Sequence, residues 1–424
     1  MTRTRALATR TFRSLRTRNY RLYFVGQMVS LTGTWMQSVG QAWLVLQLTG
    51  SGLALGGVTA LQFVPLLVGG PWGGAIADRF DKRRILLATQ TAAGALALTL
   101  GILVVTNAVS LWMVYALAFS LGIVNLVDMP TRQSFVMEMV GRDEVTNAVS
   151  LNSVLVNVSR VTGPALAGLL IWAVGMGPCF LLNSISYGAM VVALSRMRPD
   201  ELIREVPARP ERARIRDGLA YVRRSQELRG PLLVMLVVGT LGFNFSVLLP
   251  LVTHATFGLG AGSYGLAFSV MGVGAVIGGL VVAAKGVTGR ALIGWSATAF
   301  GVAVWAMAVS PTFGWLLAAM APVGAANTVL IASTNSLLQL GSEPGMRGRV
   351  MALYAMVFLG TTPIGSPLAG WTAERFGPRV ALAGGATASL LAGLALVVAI
   401  RARSRARSAE EEAHRPASLA SAAS

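Results

Sequence analysis

Long stretches without formal charge alternate with short charged segments along this chain. The charge-free blocks cover residues 22–77, 85–127, 161–195, 230–284, 291–342, 350–373 and 380–400. A helix of roughly 20 apolar residues crosses the hydrocarbon core of a bilayer. The longest blocks therefore hold two crossings each, divided by turn signals at 50–52, 258–262 and 310–311. The pattern predicts twelve membrane-spanning helices, at 20–48, 52–77, 85–106, 110–140, 145–174, 178–196, 230–254, 262–284, 290–309, 312–340, 349–372 and 379–400.

The composition also indicates an all-α integral membrane protein. Of 424 residues, 54% are hydrophobic and 12% are charged, and the charged fraction is about half that of soluble domains. With one Cys and two His, the chain has neither an internal disulfide nor an HExxH zinc motif. Its two lysines, Lys82 and Lys285, lie outside any phosphate-binding GxxxxGK[ST] loop. We therefore expect a protein that is not an enzyme and that needs no cofactor or metal.

The basic residues lie almost entirely on one side of the predicted spans. The 35 Lys and Arg exceed the 17 Asp and Glu and give a net charge of +18. All cations except Arg132, Arg160, Arg375 and Arg379 fall in the two termini or in alternate loops on the same side. Because cytoplasmic loops are enriched in Lys and Arg, both termini are predicted to be cytoplasmic. Topology explains the basic charge, so we expect no nucleic-acid partner.

A repeated motif predicts two similar halves. Residues 163–168 read GPALAG, and residues 365–370 read GSPLAG. Six spans in each half favour parallel repeats, arranged as two six-helix bundles around a central cavity. The predicted divisions are a basic N-terminus at 1–18, a bundle at 19–196, a cytoplasmic connector at 197–229, a second bundle at 230–400 and a disordered tail at 401–424. Within the connector, an amphipathic helix over 212–227 is expected to place Ile215, Leu219 and Val222 against the membrane surface.

Two of the predicted spans carry stripes of polar residues at helical spacing. Such groups are costly in lipid, so each stripe either lines a wet cavity or forms hydrogen bonds between helices. We expect a substrate cavity here, with Asn244 of the seventh span added to it. The first span supplies Gln27, Ser30, Thr34, Gln37 and Gln41, and the fifth supplies Ser150, Ser153, Asn157 and Arg160.

Asp128, Arg132 and Arg160 are formal charges within predicted spans. Intramembrane ionisable residues are candidates for function. Asp128 and Arg132 have i,i+4 spacing and can pair, which makes them the candidate proton-coupling groups. Alternatively, Asp128 bonds backbone groups freed by Pro130. For Arg160 three roles stay open: binding an anionic substrate, pairing with Asp128, or fixing a hinge beside 163–164.

Small residues and prolines predict close packing and bending. Gly70 with Gly74, and Gly274 with Gly278, have the spacing that lets helices approach closely. Glu138 ends the fourth span, where it can pair with the basic 2–3 loop. The candidate hinge residues are Gly163, Pro164, Gly365 and Pro367.

Residues 73–84, GGAIADRFDKRR, resemble the 2–3 loop signature of the major facilitator superfamily, with Asp81 where Gly is commoner. Residues 160–168 are similar to the span 5 motif of its antiporters. Further similarities at 19–23, 128–133, 147–153 and 347–351 resemble the bacterial branch of the enterobactin exporter and macrolide efflux proteins. The resemblance implies a bacterial inner-membrane transporter that works as a monomer.

The resemblance also assigns a cytoplasmic gate. The signature Asp locks the gate against the start of span 11, and the last cation of the loop pairs with the acid that ends span 4. In this sequence those roles fall to Asp78, to Arg83 or Arg84, and to Glu138, within a signature that also includes Gly74 and Arg79.

Together these features predict a secondary transporter that exports a small amphipathic molecule, such as a drug, macrolide or siderophore-like compound, in exchange for protons by alternating access. Its partners would be the substrate, protons and the bilayer. A proton-independent facilitator or importer of the same fold, a lysolipid flippase and a non-transporting membrane sensor remain alternatives.

Overall fold

The computed structural model describes residues 13–141, 143–203, 215–285 and 289–421. Helices make up nearly all of this part of the chain. They are α1 Arg18–Thr49, α2 Gly52–Arg79, α3 Lys82–Val105, α4 Leu111–Val140, α5 Val145–Val174, α6 Gly177–Ser195, α7 Ile215–Arg224, α8 Gln226–Val237, α9 Phe245–Leu251, α10 Ala261–Lys285, α11 Arg290–Ala308, α12 Phe313–Leu340, α13 Pro344–Gly360, α14 Thr362–Phe376 and α15 Pro378–Ser421, with short 3₁₀ turns at Arg13–Arg16 and Pro199–Glu201.

Within the described residues, 11 helical segments are long and apolar enough to cross a membrane. They are α2–α6, α10–α12, α15 and the continuous pairs α8–α9 and α13–α14. The chain is therefore a multi-pass membrane protein. The first predicted span corresponds to α1, a 32-residue helix that is not one of these segments. Its polar stripe interrupts every apolar stretch of the required length.

Two predicted spans are interrupted helices. The seventh consists of α8 and α9 with π-helical turns at Val238–Gly242 and Val252–Thr256. The eleventh breaks at Thr361, between α13 and α14. Pro250 lies inside α9, and Pro363 lies in the first turn of α14. Neither proline can donate a backbone hydrogen bond, which weakens the regular ladder at these points.

The N-terminal helices α1–α6 and the C-terminal helices α8–α15 pack against each other along two seams, α2 with α14 and α5 with α10. In the first seam a Cβ added to Gly370 would overlap the carbonyl of Gly52. In the second, a Cβ on Gly265 would overlap the carbonyl of Pro164. We call the end at which α1 begins and α2 ends the basic end, since residues 79–84 lie there. These tight contacts lie toward the opposite end.

Close packing through Gly274 and Gly278 is confirmed. Both face α12, and an added Cβ on either would overlap a carbonyl there, that of Ala321 or Ala325. The absence of side chains lets the two backbones touch.

The connector helix is α7, Ile215–Arg224, and residues 212–214 of the predicted helix lie outside the described part. It packs on α13, where a Cβ added to Gly218 would lie 3.1 Å from Arg349 Cβ. Val222 is 5% exposed and belongs to the core, whereas Leu219 is 49% exposed. The expected apolar face is thus divided, because α13 covers one flank of this helix.

The prediction of a disordered tail is wrong for most of its length. Helix α15 continues from the twelfth predicted span to Ser421, and only 422–424 lie outside the described residues. The segment is rich in Ala, Arg and Glu, which have high helix propensity. A helix already formed in the membrane extends through such residues without a new nucleation step.

Candidate functional site

Asp128 lies near the middle of α4 and is 5% exposed. Its Oδ1 accepts hydrogen bonds from Thr89 Oγ1 at 2.7 Å and from Gln90 Nε2 at 2.8 Å. Its Oδ2 accepts bonds from Arg132 Nε at 2.9 Å and Arg132 Nη2 at 2.6 Å. These four donors satisfy the acceptors of an ionised carboxylate, and the guanidinium compensates its charge. The predicted i,i+4 pair is formed.

Pro130 lies between the two partners but does not account for Asp128. Proline has no N–H, so the carbonyl of Leu126 lacks its helical donor. That carbonyl lies against Gly73 of α2, where an added Cβ would overlap it. The oxygens of Asp128 bond side chains instead, so the alternative in which they serve backbone groups freed by Pro130 is not what the structure contains.

Helix α1 completes a network with α3 and α4. Arg132 Nη1 donates to Gln27 Oε1, and Ser30 Oγ donates to Gln90 Oε1 at 3.4 Å. The hydroxyl of Tyr23 is buried and has no hydrogen-bond partner in the described part of the chain. The Arg132 side chain is 21% exposed, which makes it the ion-pair member nearer to open space.

The polar stripe of α1, which was expected to line a cavity, is largely buried and bonds side chains of its own group of helices. Thr34 Oγ1 lies 3.2 Å from the hydroxyl of Tyr187, and Gln37 Oε1 accepts a bond from Asn183 Nδ2 at 2.7 Å. Gln41 is 8% exposed. The stripe faces α3, α4 and α6 of the same group of helices. Helical spacing identifies a polar face, but a face that lines a wet cavity and a face that bonds to neighbouring helices have the same spacing.

The polar stripe of α5 has a different environment. Ser150, Ser153 and Asn157 bond carbonyls four residues back in their own helix, at 2.9, 3.0 and 2.8 Å. Both serines are exposed and Asn157 is half-buried. Further along the same face, Pro164 and Gly168 pack on α10. The exposed serines lie toward the basic end of α5, and the residues that pack on α10 lie toward the opposite end. We infer from this a crevice between α5 and α10 that opens at the basic end.

Arg160 lies where this crevice closes. Its guanidinium carbon is 5.2 Å from the ring centre of Trp35, whose ring centre is 6.1 Å from that of Phe268 of α10. Its Nε is buried without a hydrogen-bond partner, and among the described residues no carboxylate pairs with it. Because Arg132 occupies Asp128, the alternative in which Arg160 pairs with Asp128 does not occur in this conformation.

Aromatic rings close the opposite end of the crevice. The ring centres of Trp43 and Tyr264 are 6.5 Å apart in a stacked arrangement. His254 meets Trp43 edge to face at 5.7 Å. Since Trp43 belongs to α1 and the other two to the C-terminal helices, this cluster joins the two groups of helices.

Glu374 joins the same two groups across the α2–α14 seam. Its Oε2 accepts bonds from Ser51 Oγ at 2.9 Å and from the backbone N–H of Leu53 at 3.1 Å. A carboxylate at a helix N-terminus is favourable because of the exposed N–H groups and the helix dipole. Glu374 thereby stabilises the closed opposite end.

The predicted gate residues Asp78, Arg79 and Arg84 are exposed at the basic end. Asp78 has no ion pair with any residue that the structure describes. Helix α2 runs past it to Arg79. The predicted lock against the start of span 11 is therefore open in this conformation.

Glu138 pairs with Lys82, not with Arg83 or Arg84 as expected. Asp81 begins α3 by accepting the backbone N–H of Arg84 at 3.0 Å. This start aims the adjacent Lys82 at α4, while Arg83 donates to carbonyls at the end of α6 at 2.7 and 3.0 Å. Three consecutive cations point in different directions, so their order in the motif could not identify the partner.

The glycines of α2 serve two faces. Gly69 and Gly73 pack on Leu126 of α4. Gly70 and Gly74, which were expected to make a close helix contact, have nothing within 4 Å of an added Cβ. Gly70 and Gly74 lie on the same face of α2 as the residues that pack on α14 near the opposite end. Gly74 therefore faces the gap between the two groups of helices.

Of the four candidate hinge residues, Pro164 and Pro367 lie at the seams, whereas Gly163 and Gly365 pack within their own groups of helices. A Cβ on Gly163 would lie 2.7 Å from the carbonyl of Thr32, and one on Gly365 would overlap a carbonyl of the π turn 238–242. Pro164 is inside α5, which stays helical through it. Pro367 packs on α2. The break in the eleventh span lies at Thr361 instead, N-terminal to both of its candidate hinge residues.

Asn244 was expected in the cavity but is 2% exposed. Its Oδ1 accepts a bond from Ser366 Oγ at 3.1 Å, and its Nδ2 donates to the carbonyl of Thr240 at 2.8 Å. It connects the start of α9 to α14.

Sequence reasoning did not single out Thr89, Gln90 or Glu374. Thr89 and Gln90 are adjacent polar residues in an apolar block, and Glu374 is the only carboxylate residue between Glu343 and Glu410. A polar residue isolated among apolar residues was the feature of the sequence that could have identified each of these positions.

An apolar groove of about 590 Å³ lies between α1, α5 and α6. Several of its lining residues are large, exposed and hydrophobic, as on a surface that faces lipid. They include Met28, Val29, Val158, Leu166, Leu169 and Leu182.

The family model described as transmembrane secretion effector matches residues 9–422. A staphyloferrin A transporter of Staphylococcus aureus is 27% identical over 267 residues, which cover 61% of this chain and 66% of that protein, just under two thirds of its length. Macrolide efflux protein A of Streptococcus pyogenes is 24% identical, covering 85% and 91%. A bacterial homologue of the lysosomal transporter Spinster, solved in an inward-facing conformation, has the same fold, with a TM-score of 0.69 at 13% identity over 90% of this chain and 94% of that one.

The ion pair gives a prediction for stability. Asp128→Asn leaves Arg132 without its counter-charge, and we expect a loss of at least about 2 kcal/mol, as for other half-removed buried pairs. The double variant Asp128→Asn with Arg132→Gln should recover part of this loss. Thermal unfolding in detergent measures both.

The matched control is Glu201→Gln in the exposed Arg198–Glu201 pair, which should change stability by less than about 0.5 kcal/mol. Equal effects of Asp128→Asn and Glu201→Gln would contradict the assignment of Asp128 to a buried pair.

Proposed function

Because the chain belongs to the transmembrane secretion effector family of major facilitator transporters, we propose that it exports a small amphipathic molecule in exchange for protons by alternating access. The observation that carries this proposal is the buried Asp128–Arg132 pair, held within the N-terminal helices by side chains of α1 and α3. The relative named as a macrolide efflux protein supports export. The membership is in a family of transporters, not enzymes.

We further propose that α1 spans the membrane as a twelfth segment and that both termini are cytoplasmic. The length of α1 is sufficient, at about 48 Å for 32 residues. The hydrogen bonds of its polar stripe to α3, α4 and α6 provide the pairing that polar groups need within a membrane. The basic end then faces the cytoplasm by the positive-inside rule, and the crevice opens inward.

In the proposed cycle, substrate enters the crevice from the cytoplasm, and rocking of the two helix groups opens the α2–α14 and α5–α10 seams. A proton from outside then binds Asp128, and the neutral carboxyl loses its ionic attraction to Arg132. The guanidinium carries no proton itself because it does not deprotonate. After the return to the conformation described here, Arg132 pairs with Asp128 again and the proton leaves to the cytoplasm.

The proposed function is tested by proton release from purified protein in weakly buffered detergent. Macrolides, siderophores and lipophilic cations are added to the wild type and to Asp128→Asn. We expect release with at least one compound, and none with the variant. Binding without proton release in the wild type would contradict proton coupling and favour a facilitator.

The open gap predicts an effect of bulk at Gly74. We expect Gly74→Leu to reduce transport of the identified compound at least about tenfold, since closure of the basic end must bring this face of α2 against the C-terminal helices. Its thermal stability should stay within about 2 °C of the wild type, because the added side chain meets nothing in the present conformation.

The adjacent Gly73→Leu is the matched control. Its side chain would overlap the Leu126 carbonyl, so this variant should lose thermal stability. Full transport by Gly74→Leu would contradict closure through this face.

A further inference from the structure

The charges inside the membrane do not balance. Asp128, Arg132 and Arg160 are the formal charges that the sequence places well within its spans. Asp128 and Arg132 neutralise each other. Glu138 pairs with Lys82 at the basic end, and Glu374 caps α2 at the opposite end. Among the residues that the structure describes, Arg160 is left as an uncompensated cation at mid-depth, where an unpaired charge is costly.

The surroundings of Arg160 are those of a binding site. Its Nε is buried and unbonded. One face of its guanidinium is covered by the Trp35 ring, at 5.2 Å. Phe268, at 6.1 Å from Trp35, adds a second aromatic wall from α10. On the other side, the half-buried Asn157 lies one turn of α5 closer to the open end.

We propose that Arg160 binds an anionic group of the transported molecule, with the apolar body of that molecule against Trp35 and Phe268. An anion supplies the missing counter-charge and can accept the bond that Nε does not make. The aromatic rings suit an apolar or aromatic body. This inference rests on the proposed transport function, because it assigns the anion to the transported molecule. Binding of an anion to Arg160 is nevertheless measurable without transport.

The test uses a matched pair of fluorescent probes. 8-Anilinonaphthalene-1-sulfonate carries a permanent negative charge, and N-phenyl-1-naphthylamine has the same rings without it. Saturable binding of each is measured to the full chain in phosphatidylcholine nanodiscs at low ionic strength, with empty nanodiscs subtracted. The variants are Arg160→Gln and Arg160→Lys. Arg401→Gln is the control, because Arg401 also lies over a ring, that of Trp295, at 5.6 Å, but near the end of its span.

We expect Arg160→Gln to weaken binding of the sulfonate at least about tenfold and to leave the neutral probe unchanged, since only the former has a charge to pair. Arg160→Lys should retain most of the sulfonate affinity, and Arg401→Gln all of it. Three results would overturn the proposal: no saturable sulfonate binding to the wild type, unchanged sulfonate binding in Arg160→Gln, or equal loss of both probes.

The anion can belong to a soluble amphiphile or to a lipid headgroup. Competition by naphthalene-1-sulfonate or by lysophosphatidic acid separates these sources, and displacement by either supports an anion site. Sulfonate binding through Arg160 without proton release would leave this inference intact and contradict the proposed proton coupling. Proton release together with sulfonate binding that does not depend on Arg160 would support the coupling and overturn this inference.

Discussion

A charge inside the hydrocarbon layer must be paired, and this requirement organises the N-terminal helices. The Asp128–Arg132 pair needs further donors and acceptors, which α1 and α3 supply through Gln27, Thr89 and Gln90. The hydrogen bonds of α1 to α3 and α4 belong to this network, whereas α1 packs mainly on α5 and α6. Arg160 satisfies the same requirement only in part, through an aromatic ring. The difference between a compensated pair and a lone cation separates the proposed coupling site from the proposed substrate site.

The structure is asymmetric between its two ends. At the opposite end, glycines, aromatic rings and Glu374 hold the two groups of helices together. At the basic end, Gly74 and the serines of α5 lie on the same two faces but meet open space. The faces of α2 and α5 therefore contact the C-terminal helices at the opposite end and not at the basic end. Such an arrangement fits a protein that alternates between two closures.

Much of the architecture could be predicted from the sequence because charge-free length measures a membrane crossing directly. The predicted span 145–174 has the same bounds as α5. The site was harder to predict because helical periodicity identifies a polar face but not what that face contacts. The stripes of α1 and α5 have similar spacing, yet one is bonded to neighbouring helices and the other is exposed. Likewise, a shift of one residue separates Gly73, which touches α4, from Gly74, which touches nothing.

The most direct test of the account is the side from which the crevice can be labelled. Ser153→Cys and its neighbour Val154→Cys are treated with a membrane-impermeant maleimide in inverted and in right-side-out vesicles. Val154 is 57% exposed but on the apolar face, and the native Cys179 is buried. The account predicts labelling of Ser153→Cys in inverted vesicles and little labelling of Val154→Cys in either. Equal labelling of the two variants, or reaction of Ser153→Cys only in right-side-out vesicles, would contradict a polar crevice open to the cytoplasm.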